Sequence, residues 1–235
     1  VNVRVLAGAG QVAAAGADFV ASSVAGRGIV LALPTGRTPI PFYDELAARH
    51  SAGSRDLAAV RAFNLDELLL PPSDERSFRS FMERHAWSRT GLRRELCDIP
   101  RGDAPDPEAE CQRYEQAIAQ AGGIELAILG VGSDGHIAYN MPGPVTLPTH
   151  VVRLPDGLAA SLGVPQEDWP LRAITMGLGT IRAARRILVL ATGESKAAAV
   201  RALVCGPKDP EWPCTFLTDH PQLELLADEP AARAL

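Results

Sequence analysis

Four short apolar runs, residues 29–33, 60–65, 126–129 and 187–191, each end abruptly in glycine, proline, threonine or acidic residues. Runs of this length suit strands buried on both faces of a sheet. Helical segments lie between them. Residues 11–25 are rich in Ala and Val, with Gly26 and Gly28 ending the segment, and an amphipathic stretch follows Pro39 as far as His50. Residues 108–120 start behind Pro107 and stop at Gly122-Gly123, and an Ala-rich stretch reaches Val204. Strands alternating with helices predict an α/β fold: a Rossmann-like, mostly parallel sheet with right-handed crossovers and helices on both faces. No repeat, low-complexity linker or charge block divides residues 1–235, so a single domain is expected.

The remaining stretches are less regular. Phe78, Phe81, Met82 and Trp87 recur at near-helical spacing and read as packing. Residues 142–148 are proline-rich and suit a loop or lid, residues 156–170 are ambiguous, and residues 173–186 read as turn and helix. The last segment, residues 215–221 and 223–228, allows one more short strand near the end.

Charge and cysteine usage narrow the partners. A formal net charge of −5 argues against general nucleic-acid binding while leaving room for a local basic pocket. Cys97, Cys111, Cys205 and Cys214 lack metal-site spacing and read as reduced thiols, so a cytoplasmic protein is expected. No apolar run approaches the roughly 20 residues of a membrane span, and no signal-peptide layout opens the chain.

The loops behind the four runs carry the chemistry. Thr35, Gly36, Arg37 and Thr38 offer hydroxyls, a guanidinium and free N–H groups at a helix start, a receptor for phosphate. The spacing of a Walker loop is absent, and a plain turn with Thr38 as N-cap is the alternative. The second run delivers Asp66 and Glu67; the third is broken by Gly130, Gly132 and Gly135 around Asp134 and His136; the fourth is followed by Thr192 and Lys196. In parallel sheets ligands sit outside the carboxyl ends of the strands. One shared pocket is therefore expected, with an anion receptor (Thr35, Gly36, Arg37, Thr38, Lys196) and an acid/base set (Asp66, Asp134, His136). Its ligand is expected to be a small phosphorylated molecule.

Taken together, Leu-Pro-Thr-Gly-Arg-Thr-Pro from Leu33, Phe-Asn-Leu-Asp-Glu from Phe63, Ser-Phe-Arg-Ser-Phe-Met from Ser77, Gly-Ser-Asp-Gly-His-Ile-Ala-Tyr-Asn from Gly132, Thr-Gly-Glu-Ser-Lys from Thr192 and Asp-Glu-Pro-Ala from Asp228 resemble the glucosamine-6-phosphate deaminase and 6-phosphogluconolactonase superfamily. The second and fourth of these look like the deaminase branch. The resemblance implies an aldose-ketose isomerase/deaminase acting on an amino-sugar 6-phosphate, with Asp66 moving a proton between C2 and C1 and with Asp134 and His136 assisting ring opening. It implies phosphate binding by Thr35, Gly36, Arg37, Thr38 and Lys196, with Glu67 and Gly132 among the substrate-binding residues. It also implies no metal or organic cofactor, and it leaves assembly into homo-oligomers open. The chain departs from the deaminase pattern twice: Met141 stands where Glu is usual, and residues 158–164 lack the phosphate-binding Arg, for which Arg153 or Arg172 are the nearby substitutes. Lactone hydrolysis and sugar-phosphate binding without catalysis are the competing readings.

Overall fold

In the computed structural model, which describes residues 1–24, 28–53 and 57–235, the four apolar runs become neighbouring strands of one parallel sheet. They are β2 (Val30–Leu33), β3 (Arg61–Asn64), β6 (Leu126–Gly130) and β9 (Arg186–Ala191); β1 (Asn2–Leu6), β5 (Cys97–Asp98) and β10 (Leu223–Asp228) complete the sheet. The order is β1-β10-β9-β6-β2-β3-β5. Every pair is parallel, with Leu31 opposite Leu126 and Ile128 opposite Leu188 at the centre.

Both faces of this sheet are covered at its centre, which is why β2 and β6 are apolar along their length. Leu31, Leu33, Ile128, Leu188 and Leu190 pack on one side with Val12 and Val20 of α1 (Ala9–Val24) and Phe42 and Leu46 of α2 (Ile40–Ser51). Ala32, Leu129, Ile187 and Val189 pack on the other side with Tyr114 and Ile118 of α4 (Pro107–Gln120) and Val200 of α7 (Ala197–Cys205). Asp106 caps α4 through the N–H of Ala109, and Pro107 occupies the first turn, where a missing N–H costs nothing. The expectation that Gly26 ends the first helix falls outside the described residues. The N-cap of α2 is Pro39 and makes no side-chain cap, so Thr38 does not have that role. Among the described residues no helix is long and apolar enough to cross a membrane.

A second, antiparallel sheet was not expected. It joins β4 (Asp66–Leu68), β8 (Arg172–Thr175) and β7 (His150–Arg153). Residues 173–186, read as turn and helix, thus begin with a strand, and only then form α6 (Leu178–Arg182). The ambiguous residues 156–170 hold α5 (Asp156–Ser161) and a 3₁₀ turn at Gln166–Asp168. α3 (Phe78–Met82) runs into a π-helical turn at Glu83–Trp87, and α8 (Glu229–Ala232) ends the chain. The small sheet is a seam for the large one. Leu65 still donates its N–H to Leu33 of the parallel sheet, while its carbonyl accepts from Met176 beside β8. The chain changes sheets within one residue, and Asp66 is the first residue across.

Candidate active site

The carboxyl ends of β2, β3, β6 and β9 surround a cavity of about 280 Å³. Thr35, Gly36, Arg37, Thr38, Asp66, Gly132, His136 and Lys196 all line it, so eight of the residues singled out in the sequence come together here. Arg37 and Lys196 are its cations; Phe78, Tyr139, Leu158 and Leu162 form apolar wall.

Asp66 owes its character to the seam. It is only 5% exposed, and Thr35 Oγ1 donates to its Oδ1 at 3.3 Å. Burial pushes its pKa up to about 7; the Thr35 hydrogen bond opposes that shift and the neighbouring Glu67 carboxylate adds to it. A carboxylate poised near neutrality suits a group that must both take and return a proton.

Glu67 is buried and hydrogen-bonded to three backbone N–H groups. One carboxylate oxygen accepts the N–H groups of Leu68 (2.8 Å) and Phe78 (2.7 Å), and the other accepts that of Arg79 (2.8 Å). Its side chain thus closes the start of α3 and does not line the cavity. Burial raises its pKa to about 7 against those three hydrogen bonds. Alternation along β4 turns Glu67 away from the side that Asp66 presents.

The third loop holds a carboxylate–imidazole pair. His136 Nδ1 lies 2.7 Å from Asp134 Oδ1, and no partner for Nε2 occurs among the described residues. The hydrogen bond to His136 holds the Asp134 carboxyl down at about 2, against partial burial. Asp134 stands behind His136 and does not line the cavity itself. Gly132 is required by contact: a Cβ there would lie 2.2 Å from His136 Nδ1 and 2.6 Å from Asp134 Oδ1. Ala138, which lines the cavity, has a φ of +51°, a left-handed conformation that is strained for a residue with a Cβ. The next residue is pinned, because the Tyr139 N–H donates to Thr175 Oγ1 at 3.0 Å, and Thr175 is the register partner of Asp66. Thr175 therefore ties the Asp66 strand to the His136 loop, a role with no local sequence signal.

Lys196 closes the 3₁₀ turn Glu194–Lys196. Burial lowers its pKa, and the Asp134 charge works against that. Its loop is anchored by Asp228, whose two oxygens accept the Gly193 N–H at 2.9 and 3.0 Å while Oδ1 also accepts that of Ala231. The sequence marked Asp228 only as part of a motif.

The two departures resolve differently. Met141 lines a neighbouring cavity with Pro142, Val145 and His150, away from the one holding His136. Where a basic residue is missing, α5 presents Leu158 to the cavity, joined by Leu162. Arg153 and Arg172 do not replace it: they face each other across β7 and β8, Arg153 pairs with Asp156, and neither lines the cavity. Among the described residues no group of three or more His, Cys, Asp or Glu side chains is arranged to hold a metal ion.

Residues 7–225 match the family model described as glucosamine-6-phosphate isomerases/6-phosphogluconolactonase. The chain is 41% identical over 212 residues to glucosamine-6-phosphate deaminase 1 of Giardia intestinalis, covering 88% of this chain and 80% of that protein. It is 42% identical over 230 residues to the glucosamine-6-phosphate deaminase of Corynebacterium aurimucosum, covering 96% and 90%. The solved structure of a monomeric glucosamine-6-phosphate deaminase superposes with a TM-score of 0.94 at 32% identity, over the full length of both chains.

Proposed function

This chain belongs to the family of glucosamine-6-phosphate isomerases and 6-phosphogluconolactonases, and we propose that it converts glucosamine 6-phosphate and water to fructose 6-phosphate and ammonia. The observation that best supports this is the pairing, across one cavity, of a buried Asp66 raised to about 7 with the Asp134–His136 dyad and two cations.

Arg37, Lys196 and the N–H and hydroxyl groups of residues 35–38 hold the phosphate. The free Nε2 of His136 takes the C1 hydroxyl proton of the ring form and delivers it to the ring oxygen, breaking the C1–O5 bond. Asp134 stabilises the imidazolium that forms in between. The ionised carboxylate of Asp66 then removes the C2 proton of the open aldehyde while the substrate's own 2-ammonium gives a proton to O1, forming an enol-type intermediate, and Asp66 returns the C2 proton to C1. The C2 imine that results takes up water and releases ammonia, leaving the C2 ketone. Thr35 steadies the base, and the apolar wall of Phe78, Leu158 and Leu162 limits solvent around it.

The test is to supply the protein with glucosamine 6-phosphate and measure ammonia and fructose 6-phosphate together. Equal amounts of both are expected. Folded protein that yields neither product, yet speeds hydrolysis of 6-phosphogluconolactone in a His136-dependent way, would overturn the proposal in favour of the lactonase branch.

A further inference from the structure

On the far side of Glu67 from the catalytic cavity, α3, the edge strand β5 and α4 enclose a second cavity, of about 320 Å³. Arg79, Arg94, Arg101 and Arg113 line it, with Asp98 as its only carboxylate, and it shares no lining residue with the catalytic cavity. Four guanidinium groups around one small space repel one another unless something anionic lies among them.

The protein's own carboxylates account for part of that charge. Arg113 straddles Asp98, with Nη1 and Nη2 donating at 2.9 and 3.2 Å, and its Nε reaches the buried Glu110. Glu110 also accepts from Arg101 Nε at 2.9 Å. Arg94 lies over the ring of Trp87 and donates to Glu83 and to the Cys97 carbonyl. These contacts hold three of the guanidiniums in place. The terminal nitrogens of Arg101, one terminal nitrogen of Arg94 and the whole guanidinium of half-buried Arg79 have no acceptor among the described residues. Guanidiniums on several sides of one cleft, three of them held in place and with donors to spare, are what a tetrahedral dianion needs.

We propose that this cleft, formed by Arg79, Arg94, Arg101 and Arg113, is a second anion site that binds phosphate, free or as a small phosphomonoester. The cavity is large enough for the phosphate and a few carbons beyond it. The Arg79 main-chain N–H donates to Glu67, a contact that a change of the side chain at 79 leaves in place.

Calorimetric titration with inorganic phosphate tests this on the whole chain. Unaltered protein is expected to bind two equivalents, the second with a Kd of about 1 mM or tighter. Arg79→Gln combined with Arg101→Gln should remove one equivalent and leave competition between phosphate and substrate unchanged. Arg37→Ala combined with Lys196→Ala should remove the other and leave the arginine site filled. Displacement by glycerol 3-phosphate identifies the occupant as an ester, and binding of inorganic phosphate alone identifies the free ion. A single equivalent in the unaltered protein, or two that survive the Arg79/Arg101 change, would overturn the proposal. The Arg37/Lys196 protein keeps the test decisive if the double glutamine variant fails to fold. Because the site shares no side chain with the catalytic cavity, its loss is distinguishable from failure of the deaminase reading, which is scored by product formation.

Discussion

Asp66 carries the largest consequence of any one side chain. Its pKa of about 7 reflects burial, so the ionised, proton-accepting form gains population as pH rises through neutrality. Asp134, held at about 2, stays ionised throughout. The expected profile of kcat/KM therefore rises from pH 6 to 8 with a midpoint near 7. Asp66→Asn should remove that limb and lower kcat by about 10²–10⁴-fold, the range associated with loss of a general base. A kcat/KM–pH profile of the unaltered protein that is flat from pH 6 to 8 would show that no group titrating near 7 takes the C2 proton. Asp66 and the Asp134–His136 pair stood out in the sequence by type and position. The raised pKa did not, because it is produced by residues distant in the chain that exclude water from the carboxylate.

Strands and loops decide where those side chains point. Gly132 lets the third loop fold back so tightly that the Asp134–His136 bond lies against its α-carbon. Gly132→Ala has to move that pair, and a misplacement near 1 Å costs on the order of 10²-fold in kcat. The variant should keep its circular dichroism spectrum while losing that activity; full activity would show that the dyad tolerates displacement. The four central parallel strands were readable from their apolar runs; the edge strands β1 and β5 were not. Nor were β4, β7 and β8. They are three or four residues long, they include Asp66, Glu67, His150, Arg153 and Arg172, and they are strands only because they pair with one another across the chain.

For the folded molecule, two buried carboxyls near 7 set a pH dependence of stability. In the unfolded chain Asp66 and Glu67 ionise near 4, so between about 4 and 7 the native state holds protons that the unfolded state has released. Stability from these groups is present at the acid end of that window and is lost as pH climbs to 7, at a cost of roughly 2–4 kcal/mol for a group so shifted. Asp134 and Asp74, both lowered to about 2, act in the opposite direction below pH 4. Urea unfolding at pH 5 and pH 8 should show Asp66→Asn gaining stability relative to the unaltered protein as pH rises. An offset between the two proteins that is equal at both pH values would mean that Asp66 titrates normally in the fold. The carboxylate proposed as the base is thus kept at the expense of stability.

The sequence by itself determined the strand–loop–helix units, the parallel sheet and the chemical types gathered at its carboxyl end, because these follow from local apolar patterning and from the geometry of crossover connections. Only the tertiary structure decided how those groups act. It placed Asp66 at the seam between two sheets, turned Glu67 into the closure of α3, put Met141 in the adjoining cavity and set leucines from residues 158–162 where a basic residue was sought. Each of these depends on burial or pairing between segments far apart in the chain. Local sequence carries a side chain's type and its place along a strand, but which atoms surround it is fixed by long-range packing.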